Sequence, residues 1–112
     1  MKIDEKKRDE LMRELGHKES NIGTTYIRRG LELYRPGMGI TKELYPALAE
    51  AYNSTPSRVE RAIRHSISSA WDRSSGEAAL RMFADDRDHP WPTNGEYFAV
   101  MARLCRQAEG QE

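Results

Sequence analysis

The stretch from Asn53 to Trp71 satisfies its own pattern in one way, as a helix covered along one side. Thr55 can accept a hydrogen bond from a first-turn amide that has no carbonyl partner. Pro56 suits the first helical position, because the amide it lacks would be unpaired there. Val59, Ala62, Ile63, Ser66, Ile67, Ala70 and Trp71 then recur at helical spacing and make one apolar stripe. At about 100° per residue, Ser57, Arg61, Arg64, His65 and Ser68 fall on the opposite face, with Arg58 and Glu60 flanking it. The rest of the chain has to cover the stripe and leave the arginine face open.

Just upstream, the run from Thr41 to Tyr52 predicts a short helix with Leu44, Leu48, Ala51 and Tyr52 facing inward. Pro46 lies inside it, so its start is expected to be irregular. The tight Asn53-Ser54-Thr55 turn joins it to the arginine helix. Two helices across a turn of this length, at about 42–52 and 56–72, with polar side chains on the N-terminal part of the second, form the pattern of a helix-turn-helix. Arginine's planar fork matches guanine O6 and N7 or a phosphate, and glutamate can accept from cytosine N4. The expectation is a DNA-reading helix. The plainer alternative is a solvated face laced with ion pairs such as Glu60–Arg64.

Four further segments read as helices, and no segment has strand periodicity. Asp4 to Leu15 is polar, with Leu11, Met12 and Leu15 apolar, and ends at Gly16. Its Lys6-Lys7-Arg8 run alternates with acids and reads as a solvated face. Gly23 to Tyr34 places Tyr26, Ile27, Leu31 and Tyr34 on one side and Arg28 and Arg29 on the other, and Arg35-Pro36-Gly37 stops it. Ser74 and Glu77 offer a capping box for a short helix to Phe83, with Leu80, Met82 and Phe83 apolar. Asp85 to Pro92 is a charged loop. A second capping box, Thr93 to Glu96, opens a closing helix whose inward set is Tyr97, Phe98, Val100, Met101, Leu104 and Cys105. The fold class is therefore all-α, a single six-helix domain over residues 1–112.

Composition excludes several function classes. Hydrophobic content of 38% beside 32% charged residues is that of a globular chain rather than a disordered or membrane one. No run reaches the roughly 20 apolar residues of a membrane span, and no signal peptide is evident. The single Cys105 permits no internal disulfide and reads as a small core hydrophobe, consistent with a cytoplasmic setting. His17, His65 and His89 lack metal-ligand spacing, Ser57 lacks an activating partner, and there is no glycine-rich phosphate loop. No catalytic residue, metal or cofactor is expected. Formal net charge is zero, so any attraction for DNA must be local. Arg58, Arg61, Arg64 and Arg73 against Glu60 and Asp72 make the arginine helix such a place.

Ile40-Thr41-Lys42, Leu44-Tyr45-Pro46, the run Ser57-Arg58-Val59-Glu60-Arg61-Ala62-Ile63-Arg64-His65, Ala70-Trp71 and Pro92-Thr93-Asn94 occur in order. Together they resemble the C-terminal effector domain of the sporulation stage-zero protein A family, response regulators that initiate sporulation. The resemblance spans nearly the whole chain. It implies that the helix matching 56–71 enters the major groove of double-stranded DNA at a TGTCGAA-like box. Glu60, Arg61 and Arg64 match positions that approach base edges; Ser57, Arg58 and His65 match positions near the backbone or the groove edge. It also implies head-to-tail binding to tandem boxes and contact with a sigma subunit of RNA polymerase. The alternative in a different class is a protein-interaction module acting on a sigma subunit or a full-length relative.

The chain departs from the family pattern in two places. At this length no receiver domain is expected beside the effector fold, which points to an excised domain or a free-standing relative. Regulation would then not run through phosphorylation of its own chain. Ahead of Pro-Thr-Asn, where the family carries lysines, this chain has Asp88-His89-Pro90-Trp91. A backbone contact from that loop is therefore not expected, and affinity per monomer should be low.

Overall fold

Capping chemistry sets most of the helix starts. The computed structural model describes residues 3–73, 76–83 and 91–110. Helix α1, Glu5–Glu14, begins where the Asp4 carboxylate accepts from the Lys7 amide (3.1 Å). Helix α2, Ile22–Leu33, begins where the Asn21 side chain accepts from the Gly23 amide (2.9 Å), one residue ahead of the predicted start. Helices α3, Tyr45–Ala51, and α4, Pro56–Arg73, follow, then α5, Glu77–Met82, and α6, Asn94–Gly110. Thr55 Oγ1 accepts from the Arg58 amide at 3.2 Å, so the N-cap read from sequence forms. Thr93 and Glu96 exchange reciprocal bonds of 2.9 and 3.1 Å, the capping box expected for α6. The other expected box needs Ser74, which lies outside the described residues, as do residues 85–90 of the charged loop. Among the described residues every regular element is helical.

α1 closes with Gly16 at φ +97°, where the Gly16 amide reaches Arg13 O and the His17 amide reaches Met12 O. That pair of bonds is a Schellman closure, and it turns the chain so that His17 points back into the domain. α3 has the irregular start that Pro46 demands. Residues Ile40–Leu44 wind as one wide π-type turn before the regular helix opens with Pro46 in its first turn. Proline cannot donate to the carbonyl four residues back and its ring crowds that carbonyl, so the preceding turn widens.

α4 is the central element and packs most extensively against α2 and α3. Val59, Ile63, Ile67 and Ala70 are fully buried, and Ala62 and Trp71 are half-buried at the margins of the stripe. Each large aliphatic side chain so covered contributes about 1.5–3 kcal/mol. The approach of α2 to α4 depends on Gly23, where an added Cβ would lie 2.1 Å from Ala62 O and 2.7 Å from Ser66 Cβ. On the far side, rings of Trp71, Phe83, Tyr97, Phe98 and Tyr34 pack in a chain with centroids 5.3–6.3 Å apart.

Two sequence expectations need correcting. The inward face of α3 is Leu44, Tyr45, Leu48 and Ala49; Ala51 and Tyr52 are exposed. The helix ends at Ala51, beyond the surface that α2 and α4 cover, and Tyr52 only edges onto Tyr26. Arg8 belongs to no solvated face. It is 4% exposed, donating to Asp9 (2.9 Å), Glu32 (2.9 Å) and the Arg28 carbonyl (3.3 Å), while Lys6 and Lys7 stay in solvent. Leu80 is exposed, because a helix as short as α5 buries one stripe and Ala78, Ala79 and Met82 occupy it.

Candidate nucleic-acid interface

The polar face of α4 stands clear of the domain because the opposite face is fully used. Ser57, Arg58, Arg61, Arg64 and His65 are exposed, and Glu60 is half-buried at the edge of the stripe. The expected site residues therefore share one surface over the first three turns of the helix. Their hydrogen bonding differs. Glu60 and Arg64 form the i,i+4 ion pair anticipated as the plainer alternative. Among the described residues neither Arg58 nor Arg61 is in an ion pair. His65 Nε2 lies 3.4 Å from Ser69 Oγ, one turn further on.

The ion pair is compatible with a role in recognition. An exposed i,i+4 pair is worth about 0.3–0.5 kcal/mol. A bidentate contact to a base is worth about 1–3 kcal/mol. Glu60 can hold Arg64 and release it at small cost.

Several cations elsewhere are already paired with acids. Arg8, Arg28 and Arg29 on α1 and α2 are laced to Asp9, Glu19 and Glu32, with Arg28 gripping Glu19 through bonds of 3.0 and 2.9 Å. Arg73, in the last turn of α4, donates to the Gly16 carbonyl at 2.6 and 3.1 Å. Among the described residues, Arg58 and Arg61 at the N-terminal end are the arginines of α4 whose side chains have neither a carboxylate nor a carbonyl partner. The first amides of the same helix add to their positive charge.

Beside this face runs an open groove of about 580 Å³ between the π-type turn, α4 and the start of α6. Thr41, Tyr45, Glu60, Arg64, Trp91 and Asn94 are among its lining residues. A smaller depression along Arg61, Arg64, His65 and Ser68 also ends on Trp91. Trp91 is thus half-buried next to the arginines, a placement that nothing in its local sequence indicates.

Behind the face lies a polar node within the core. Ser66, 1% exposed, is 2.9 Å from His17 Nδ1 and 3.2 Å from Thr24 Oγ1, and His17 Nε2 is 2.8 Å from the Tyr97 hydroxyl. Burial pushes the Tyr97 phenol well above its ordinary range, so it stays protonated. Having no second partner among the described residues, it donates to Nε2; Nδ1–H then donates to Ser66, whose hydroxyl passes the bond to Thr24. His17 must be neutral in this chain of bonds. Desolvation, helped by the positive charges of Arg73 and Arg28, lowers its pKa to about 4. A serine within an apolar stripe was the sequence signal for such a node; its histidine and tyrosine, 49 and 80 residues from their partners, gave none.

Among the described residues no group of three or more His, Cys, Asp or Glu side chains could hold a metal. Cys105 is buried in α6, where desolvation pushes its thiol up to about 11. No helix among the described residues is long and apolar enough to cross a membrane. Compared with known protein families, residues 9–104 match the family described as "Sporulation initiation factor Spo0A C terminal".

Proposed function

Because the chain belongs to the sporulation initiation factor Spo0A C-terminal family, a family of DNA-binding effector domains and not of enzymes, we propose that α4 is a recognition helix read into the major groove. Its target is a TGTCGAA-like box. Arg61 and Arg64 present their guanidinium forks to guanine O6 and N7, and Glu60 accepts from cytosine N4. Ser57, Arg58 and His65 meet the backbone or the groove edge. α3 crosses the backbone as the first helix of the pair, the docking geometry of a helix-turn-helix. The observation that carries this reading is the division of α4. One side supplies the buried centre of the domain, and the other holds Arg58 and Arg61 without counter-ions.

A single module of this kind buries about 600–1,000 Å² of its own surface on DNA. Tandem boxes occupied head to tail would supply the remaining affinity, and the domain would act in the cytoplasm on transcription of sporulation genes. The zero net charge favours a second reading, a protein-interaction module for a sigma subunit or a full-length relative.

A fluorescence-anisotropy titration tests both. A duplex with two tandem boxes is compared with a scrambled duplex at several salt concentrations. The DNA reading predicts a preference of about 10³ or more for the boxes, with affinity falling as salt rises. Equal weak binding to both duplexes would refute it and leave the interaction module.

A further inference from the structure

Asn94, the first residue of α6, is polar, yet only 8% of it is exposed. Its amide nitrogen has two hydrogens and faces two acceptors, the Tyr45 hydroxyl at 2.8 Å and the Glu60 backbone carbonyl at 3.2 Å. The carbonyl can only accept, which fixes the orientation of the amide. One short side chain thus ties the start of α6 to the start of α3 and to the second turn of α4. That turn carries Glu60 and Arg61, with Arg64 directly above.

We infer that Asn94 is a positioning residue for base reading: it sets the rotation and height of the Glu60–Arg64 segment through the Glu60 carbonyl while touching no DNA itself. The inference rests on the function proposed above. Base contacts tolerate about 0.5 Å and 10–20° of misplacement, whereas phosphate contacts through long flexible side chains tolerate more. A clamp on the helix backbone at Glu60 should therefore govern specificity more than overall affinity. Of the uncharged side chains small enough for this position, only asparagine brings two donors from one nitrogen. Aspartate would turn an acceptor toward the Glu60 carbonyl and add negative charge beside the Glu60 carboxylate.

The domain should survive truncation here. Val59, Ile63 and Ile67 anchor α4 without Asn94, and the groove beside it is open, so water can reach Tyr45 and the Glu60 carbonyl. The experiment is anisotropy on the tandem-box and scrambled duplexes with the full chain, its Asn94→Ala, Asn94→Asp and Arg64→Ala variants, and the Asn94→Ala/Arg64→Ala double variant. Circular dichroism checks folding.

Asn94→Ala should weaken box binding about five- to tenfold, the scale of one lost hydrogen bond, and leave scrambled-duplex affinity and the salt slope unchanged. Asn94→Asp should weaken box binding further. In the Arg64→Ala background Asn94→Ala should add little, because the segment it positions has lost its reader. Equal weakening on both duplexes, an undiminished effect in the Arg64→Ala background, or no effect at all would overturn the inference. If Asn94→Ala does not fold, Tyr45→Phe, which removes one end of the clamp, must still show a box-specific loss. A wild-type chain that cannot distinguish the duplexes overturns the DNA reading and this inference with it. Discrimination lost in Arg64→Ala but intact in Asn94→Ala and Tyr45→Phe overturns this inference alone.

Discussion

Lowering the pH from 7 to 4 should destabilise this domain progressively through one side chain, His17. In the folded state its imidazole accepts from Tyr97 and donates to Ser66, and burial together with Arg73 and Arg28 holds its pKa down to about 4. Unfolded, it returns to about 6.5. Between these values the unfolded chain binds more protons than the folded one, so stability is complete above about pH 6.5 and falls as the pH drops toward 4. With about 1.4 kcal/mol for each pH unit of separation, the loss reaches about 2 kcal/mol by pH 5 and about 3 kcal/mol by pH 4. Residual solvent contact of the ring makes these upper values. Glu32, whose pKa is lowered against desolvation by bonds to Arg8 and Arg29, contributes in the same direction only below its ordinary carboxylate range. The two windows can therefore be separated. Urea denaturation at half-unit pH steps should show a midpoint falling by about 1–2 M between pH 7 and pH 5. A His17→Gln variant should start less stable at pH 7 and show a much flatter profile. A wild-type profile flat from pH 7 to pH 5, or an equal slope in His17→Gln, would refute the assignment, as would an NMR titration of the His17 ring with a midpoint near 6.5.

Other perturbations test the remaining structural claims. Gly23→Ala drives a Cβ into the Ala62 carbonyl and must separate α2 from α4, costing about 1–3 kcal/mol of stability in a chemical-denaturation series; a neutral result would mean that the helices do not approach as described. Arg8→Ala removes a buried side chain and the donor to the Arg28 carbonyl while Asp9 and Glu32 stay partly solvated, and should cost about 1–2 kcal/mol, whereas Arg8→Met, which fills the volume, should cost less. Arg61→Ala should reduce discrimination between box and scrambled duplexes by about 1–3 kcal/mol with an unchanged melting temperature. Arg58→Ala should weaken both duplexes alike and lower the salt slope by about one unit.

Much of the fold was legible because its signals are local. The Thr55–Pro56 start, the α4 stripe, the Thr93–Glu96 box and the Gly16 stop each arise from residues within a turn or two of one another, and all four form. The exposed site face follows from the same arithmetic, since once one side of an amphipathic helix is buried the other is fixed. The errors fall where local pattern is insufficient. Arg8 looks like any lysine-flanked surface arginine until Glu32 and the Arg28 carbonyl, more than 19 residues away, close over it. Tyr52 has core chemistry but stands at the margin of the core, where only the edge of Tyr26 reaches it.

The sequence by itself determined an all-α domain, the existence and polarity of α4, and which of its side chains face outward, because helical periodicity converts residue order directly into direction. Tertiary structure alone decided which of the outward charges are free and which are spent. It enclosed Arg8, Arg28 and Arg29 among acids and left Arg58 and Arg61 without counter-ions. It also brought Asn94 to the Glu60 carbonyl and Tyr97 to His17. Hydrogen bonds reach about 3 Å, so partners separated by 34 or 80 residues are fixed only when the whole core has packed.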